Sequence, residues 1–108
     1  MTFNCMGKVA VPTPGTPVPI STDKTQVCHY IVVSQVPGTT GAVHLKNIHG
    51  ANGPAGVIVR SFLAPGTTGF IDEHRLDAAD LDNPLYPADW AIDAANTTEG
   101  LNVYWVVE

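Results

Sequence analysis

The stretch QVCHYIVVSQVPGTTGAVHLK, residues 26–46, decides the fold. Its first eight residues, QVCHYIVV, are rich in β-branched and aromatic side chains. Alternation places Val27, His29, Ile31 and Val33 on one face and Cys28, Tyr30 and Val32 on the other. Both faces are partly apolar, which predicts a central strand. PGTTG follows at residues 37–41, and AVHLK at residues 42–46 reads as the next strand. Proline presets φ at the second turn position and glycine accepts positive φ at the third, so Pro37-Gly38 fits a type II turn. A phosphate-binding loop would open onto a helix N-terminus, often with a lysine, and this one leads into a strand. The pentapeptide recurs at residues 65–69, between VIVRSFL (57–63) and FIDEH (70–74). The same strand-to-strand corner is therefore expected twice.

The flanking segments extend this pattern. GKVAV at residues 7–11 reads as a short strand, with residues 1–6 as a loose lead-in. Residues 12–19 carry four prolines, Pro12, Pro14, Pro17 and Pro19. Each removes a backbone donor, so the segment is expected to be extended, at a sheet edge or across another surface. NIHGANGPAG at residues 47–56 reads as a long protruding turn that carries His49. RLDAADLDN at residues 75–83 is expected to form one or two helical turns, ended by PLYP. DWAID (89–93) and LNVYWVV (101–107) are the last strands. On the final one, Leu101, Val103, Trp105 and Val107 share a face, with Asn102 and Tyr104 opposite. The fold class is all-β: a single jelly-roll-like β-sandwich of about eight short strands, with at most a turn or two of helix near residues 76–82. Residues 1–20 are expected to form an extended proline-rich arm, and residues 21–108 the sandwich domain.

Composition narrows the function. The 108-residue chain has ten glycines and nine prolines, only 14% charged residues and a formal net charge of −5. That balance argues against a nucleic-acid partner, which needs a basic face to displace counterions from phosphates. Eight of the ten acids lie in residues 72–99, with Arg75 the one Arg or Lys among them, and this segment is expected to face solvent. No apolar run approaches a transmembrane helix, and no signal peptide is visible, so neither a membrane partner nor export is expected. A reducing cytosol would keep Cys5 and Cys28 as thiols, although spacing alone leaves a disulfide between them open.

No catalytic pattern emerges. His29, His44, His49 and His74 make no HxH, HExxH or HxxxH pair, so no metal site is expected. Ser21, Ser34 and Ser61 lie outside any GxSxG elbow. Cys28 and His29 are adjacent on a strand and therefore point apart. Asp77, Asp80, Asp82 and Asn83 lack the spacing of a calcium loop. The formal sequon Asn96-Thr97-Thr98 is discounted without an export signal. Neither a cofactor nor an enzymatic activity is expected. Tyr104, Tyr30, Tyr86 and Trp90 could serve as aromatic stacking platforms, while Trp105 alternates within an apolar strand and reads as core.

Taken in order, four stretches carry a resemblance: TPVPIS (16–21), GTTGAVHL (38–45), LAPGTTGFID (63–72) and DWAIDAANTTEGLNVYWV (89–106). The pattern resembles small tailed-bacteriophage capsid decoration, or cement, proteins and head-fibre-like β-sandwich proteins. In those, a TPxPL stretch precedes a GNVYVG-type strand pair, a LAPGES-type corner and a C-terminal IYVDAxxxGEGVxYxY hairpin. The likeness runs over most of the chain from residue 16, with residues 75–87 as an added segment. It implies a virion structural protein, made in the bacterial host cytoplasm and bound to the capsid exterior. The implied partner is the major capsid protein, and the implied state a homo-oligomer, a trimer in preference to a dimer. The expected contact residues are Val11, Pro12, Pro14, Pro17, Pro19, His49, Asn102 and Tyr104. The alternative is a carbohydrate- or receptor-binding module on a virion appendage.

Overall fold

A computed structural model describes residues 2–48, 57–63, 71–77 and 85–107. Eight strands follow one another: β1 Thr2–Ala10, β2 Val18–Pro19, β3 Cys28–Gln35, β4 Val43–Asn47, β5 Val57–Phe62, β6 Glu73–Asp77, β7 Trp90–Ala94 and β8 Gly100–Val107. They form two antiparallel four-stranded sheets, ordered β1-β8-β3-β6 and β2-β7-β4-β5. The topology is that of one long ribbon. β1 pairs with β8, β2 with β7, β3 with β6 and β4 with β5. The ribbon is rolled so that β8 also meets β3, and β7 also meets β4. This wrapping is the jelly-roll arrangement expected from the sequence.

Alternating side chains build the core between the sheets. Ile31, Val33, Leu101, Val103 and Trp105 come from the first sheet, and Val43, Leu45, Phe62 and Ile92 from the second. Val11, Ile20 and Leu85, from the segments between strands, are buried in the same core. Trp105 keeps its indole N–H satisfied by donating to Gln26 Oε1 at 2.8 Å.

Three expectations need correction. First, residues 1–20 are not an arm separate from a 21–108 domain. Thr2–Ala10 lies along β8, and Val9, Val11 and Ile20 are buried. A two-residue strand, Val18–Pro19, pairs with β7. As the proline rule requires, it sits at a sheet edge. Second, residues 75–77 are strand, not helix. Glu73–Asp77 pairs with β3 and alternates, with Leu76 turned inward. Residues 78–84 lie outside the described residues. Third, the two faces of β3 do not run unbroken. The register skips a residue between Cys28 and Tyr30, so the bulge carries His29 outward and Cys28 into the core.

The first PGTTG does form the expected turn. Thr39 N donates to Val36 O at 3.2 Å, with Gly38 at φ +87°. The corner carries the chain from β3 in one sheet to β4 in the other, so it is a crossover and not a hairpin. The second copy lies outside the described residues. β1 and β3 flank β8 on opposite sides, which separates the Cys5 and Cys28 backbones by at least two strand spacings, about 9.5 Å. A disulfide between them does not fit that distance.

Candidate interaction surface

On the outer face of the first sheet, register brings three strands together. Val32 of β3 stands opposite Tyr104 of β8 on one side and Arg75 of β6 on the other. Tyr30 meets Tyr104 edge to face, with ring centroids 6.2 Å apart and planes at 85°. The Arg75 guanidinium lies 3.9 Å from the Tyr30 ring centroid and its Nε donates to Asp77 Oδ2 at 3.0 Å. The guanidinium thus packs over the Tyr30 ring. Tyr104 remains 40% exposed, and Asn102 is half-buried beside it. This is an aromatic surface with a charged border.

The outer face of the second sheet is partly covered by the proline-rich segment. Asp93 on β7 is buried there. Its Oδ1 accepts from Gly15 N and Ala94 N, each at 2.9 Å, and Lys46 Nζ lies 3.5 Å from Oδ2. On the neighbouring strands, His44 Nδ1 and Ser61 Oγ are 2.9 Å apart. A serine beside a histidine invites a nucleophilic reading, but the carboxylate across the sheet is committed to Lys46 and Gly15. His44 and Ser61 are register partners on β4 and β5, so the pair is a cross-strand hydrogen bond.

The acidic segment is put to structural use. Glu99 Oε2 accepts from Thr40 N at 2.8 Å and Thr40 Oγ1 at 2.9 Å; Oε1 accepts from Gly41 N at 2.9 Å and Asn96 Nδ2 at 3.2 Å. These bonds, led by that from the Thr40 backbone, hold the Glu99 carboxyl below its ordinary value. The carboxylate therefore ties the PGTTG corner to the β7–β8 turn. With the folded value depressed, its contribution is present above the unfolded value and is lost as pH falls through the folded one. Glu99→Gln is expected to lower the unfolding midpoint at pH 7. That difference should close as the pH is taken below 4. A difference that persists undiminished in acid would assign the effect to packing instead.

The expected contact residues are dispersed. Pro12, Pro14 and Pro19 are exposed and Pro17 is half-buried, on the segment over the second sheet. Asn102 and Tyr104 share the outer face of the first sheet. Val11 is fully buried, so its side chain belongs to the core and not to a surface. His49 lies outside the described residues. Trp90 is also buried, which removes it as a stacking platform, whereas Tyr86 is half-buried. Tyr30, one of the candidate platform aromatics, does meet Tyr104. Arg75 was not anticipated beside them; its signal is alternation on β6, readable only once β3 and β6 are known to be neighbours.

A second exposed feature is β5, an edge strand. Val57, Ile58 and Val59 are all exposed, as are Leu63 and Ile71 beyond it. A register skip between Leu45 and Lys46 leaves Val59 unopposed, which ends the alternation that would bury every second residue. Among the described residues, no group of three or more His, Cys, Asp or Glu side chains could hold a metal ion. No helix among them is long and apolar enough to cross a membrane. No family model matches the chain, and no curated protein or solved structure matches it either.

Proposed function

We propose that this chain is a virion structural protein that binds the outer surface of a phage capsid and decorates or cements it. The observation that carries the reading is the exposed apolar and aromatic surface: Tyr104 on one sheet face, and Val57, Ile58 and Val59 along an edge strand. Large apolar side chains grouped at a surface are characteristic of protein contacts. The polar clusters, in contrast, are spent on holding loops to the sandwich. The order of turn and strand motifs, which resembles phage decoration proteins, supports the same reading. The partner is the major capsid protein, engaged by a homo-oligomer with a trimer preferred, and the reading includes no enzymatic role.

Cosedimentation with undecorated capsids tests this. The wild-type protein should pellet with the particles, and Tyr104→Ala should reduce occupancy at subsaturating concentration while the isolated domain keeps its unfolding midpoint. A truncation of residues 2–14 is not a clean test of an arm, because it would strip β1 from β8 and Val9 and Val11 from the core. A second reading, a glycan- or receptor-binding module, is favoured by the exposure of Tyr104, whose ring could stack on a sugar. Binding to host glycans without binding to capsids would select it.

A further inference from the structure

We propose that Arg60, Asp72 and His74 form a latch between the edge strands of the two sheets, closed at neutral pH and released by acid. β5 belongs to the second sheet and β6 to the first, and no backbone ladder joins them. Arg60 reaches from β5 across this seam. Its Nη2 donates to Asp72 Oδ2, and its Nη1 lies 3.4 Å from His74 Nδ1. The guanidinium also sits 5.0 Å from the Phe62 ring centroid, which fixes its position on the apolar side.

Asp72 is itself held in place. Gln35 of β3 accepts from Asp72 N at 2.9 Å through Oε1, and Gln35 N donates to Asp72 O at 3.0 Å. The other half of the Gln35 amide donates to Leu63 O. One side chain thus ties both ends of the β5–β6 connection to β3, and Arg60 closes the gap between the sheets above it.

The chemistry of His74 makes this closure depend on protons. Arg60 can only donate, so His74 Nδ1 must accept, which requires the neutral ring with its proton on Nε2. Protonation removes the acceptor and places a second cation against the guanidinium. Among the described residues, the charged groups that act on the ring are Arg60 from β5 and Asp72 from the segment preceding β6; β3 presents Val33 opposite His74 and Gln35 against Asp72, which do not titrate. Asp72 would favour the protonated ring, but it is already paired with Arg60. Burial first, and then Arg60, push His74 below the ordinary histidine value, against the opposing pull of Asp72. A depressed folded value means that the latch is fully closed above the unfolded value, near 6.5, and is lost as pH falls through the folded value. Because Arg60 and Asp72 are partly exposed, the release is local to the seam and leaves the rest of the sandwich folded.

The inference rests on the fold alone and stands apart from the capsid reading. The test is nuclear magnetic resonance on the wild-type chain, following the imidazole signals from pH 8 to pH 4 together with amide exchange. His74 should titrate below 6.5. After correction for intrinsic exchange, amide protection in β5 and β6 should fall on acidification, by about tenfold per unit of displacement, while β8 and β3 keep theirs. His74→Gln, which can accept from Arg60 but cannot take up a proton in this range, should abolish that fall. Titration of His74 at or above 6.5 would overturn the proposal, as would the same loss of protection in His74→Gln.

Discussion

Replacing Asp93 with alanine is expected to lower the unfolding free energy by about 3 kcal/mol, the usual cost of leaving one member of a buried ion pair alone. The Asp93 side chain is only 9% exposed, and the Lys46 side chain 14%. Removal of the carboxylate strands the ammonium and deprives Gly15 N of its acceptor, so the proline-rich crossing keeps its β2 pairing with β7 but loses its side-chain anchor there. Urea unfolding of the single variant, of Lys46→Met and of the double variant measures this. The double variant should recover much of the loss, because no unpaired charge remains. A change below about 0.5 kcal/mol in Asp93→Ala, typical of an exposed position, would mean that Asp93 does not hold Lys46 and Gly15 as described.

Gly100→Ala should be at least as damaging, for a steric reason. A Cβ at this position would lie 1.8 Å from the Val9 carbonyl oxygen and 2.8 Å from its carbonyl carbon. Both are backbone atoms of β1, and Gly100 pairs with Ala10 in that strand. No rotamer change relieves the clash, so β1 must move away from β8 and withdraw Val9 from the core. Overpacking of this kind costs about 3 kcal/mol or more when the backbone has to shift. In a domain of this size that corresponds to roughly 4–8 °C of midpoint per kcal/mol. Gly38→Ala is the control: its Cβ would meet no atom within 4 Å, so only the positive φ of +87° is penalised. Thermal unfolding should rank Gly100→Ala well below Gly38→Ala. The reverse order would contradict the β1–β8 register.

How much of this was legible in the sequence follows from sequence separation. The strand LNVYWVV, with its strong alternation, was readable because burial imposes a period of two on one short segment. The Pro37-Gly38 turn was readable because its geometry is a property of two adjacent residues. Glu99 as a clamp on Thr40 and Gly41 was not, since its partners lie 58 and 59 residues away and nothing local distinguishes it from a solvated acid. Asp93 escaped for the same reason, being 78 residues from Gly15. The β3 bulge also left no mark, because Cys28 and His29 are each compatible with either face. Strand β2 was missed because two residues carry no periodicity. Its exclusion from a central position was still readable from Pro19. The proposed contact surface was half legible: Asn102 and Tyr104 followed from alternation in β8, while Arg75 and the meeting of Tyr30 with Tyr104 required the order of the first sheet.

The proposed cementing role makes one physical demand. A protein that binds the assembled lattice and not its dissociated subunits stabilises the lattice by mass action, about 2.7 kcal/mol per site at a hundredfold excess over Kd, and an oligomer that engages several subunits at once multiplies the effect. The most direct measurement is therefore the temperature at which cognate capsids release their genome, with and without this protein at full occupancy. The account predicts a higher release temperature for decorated particles, and a gain that shrinks when Tyr104→Ala lowers occupancy. Equal release temperatures at full wild-type occupancy would contradict cementing.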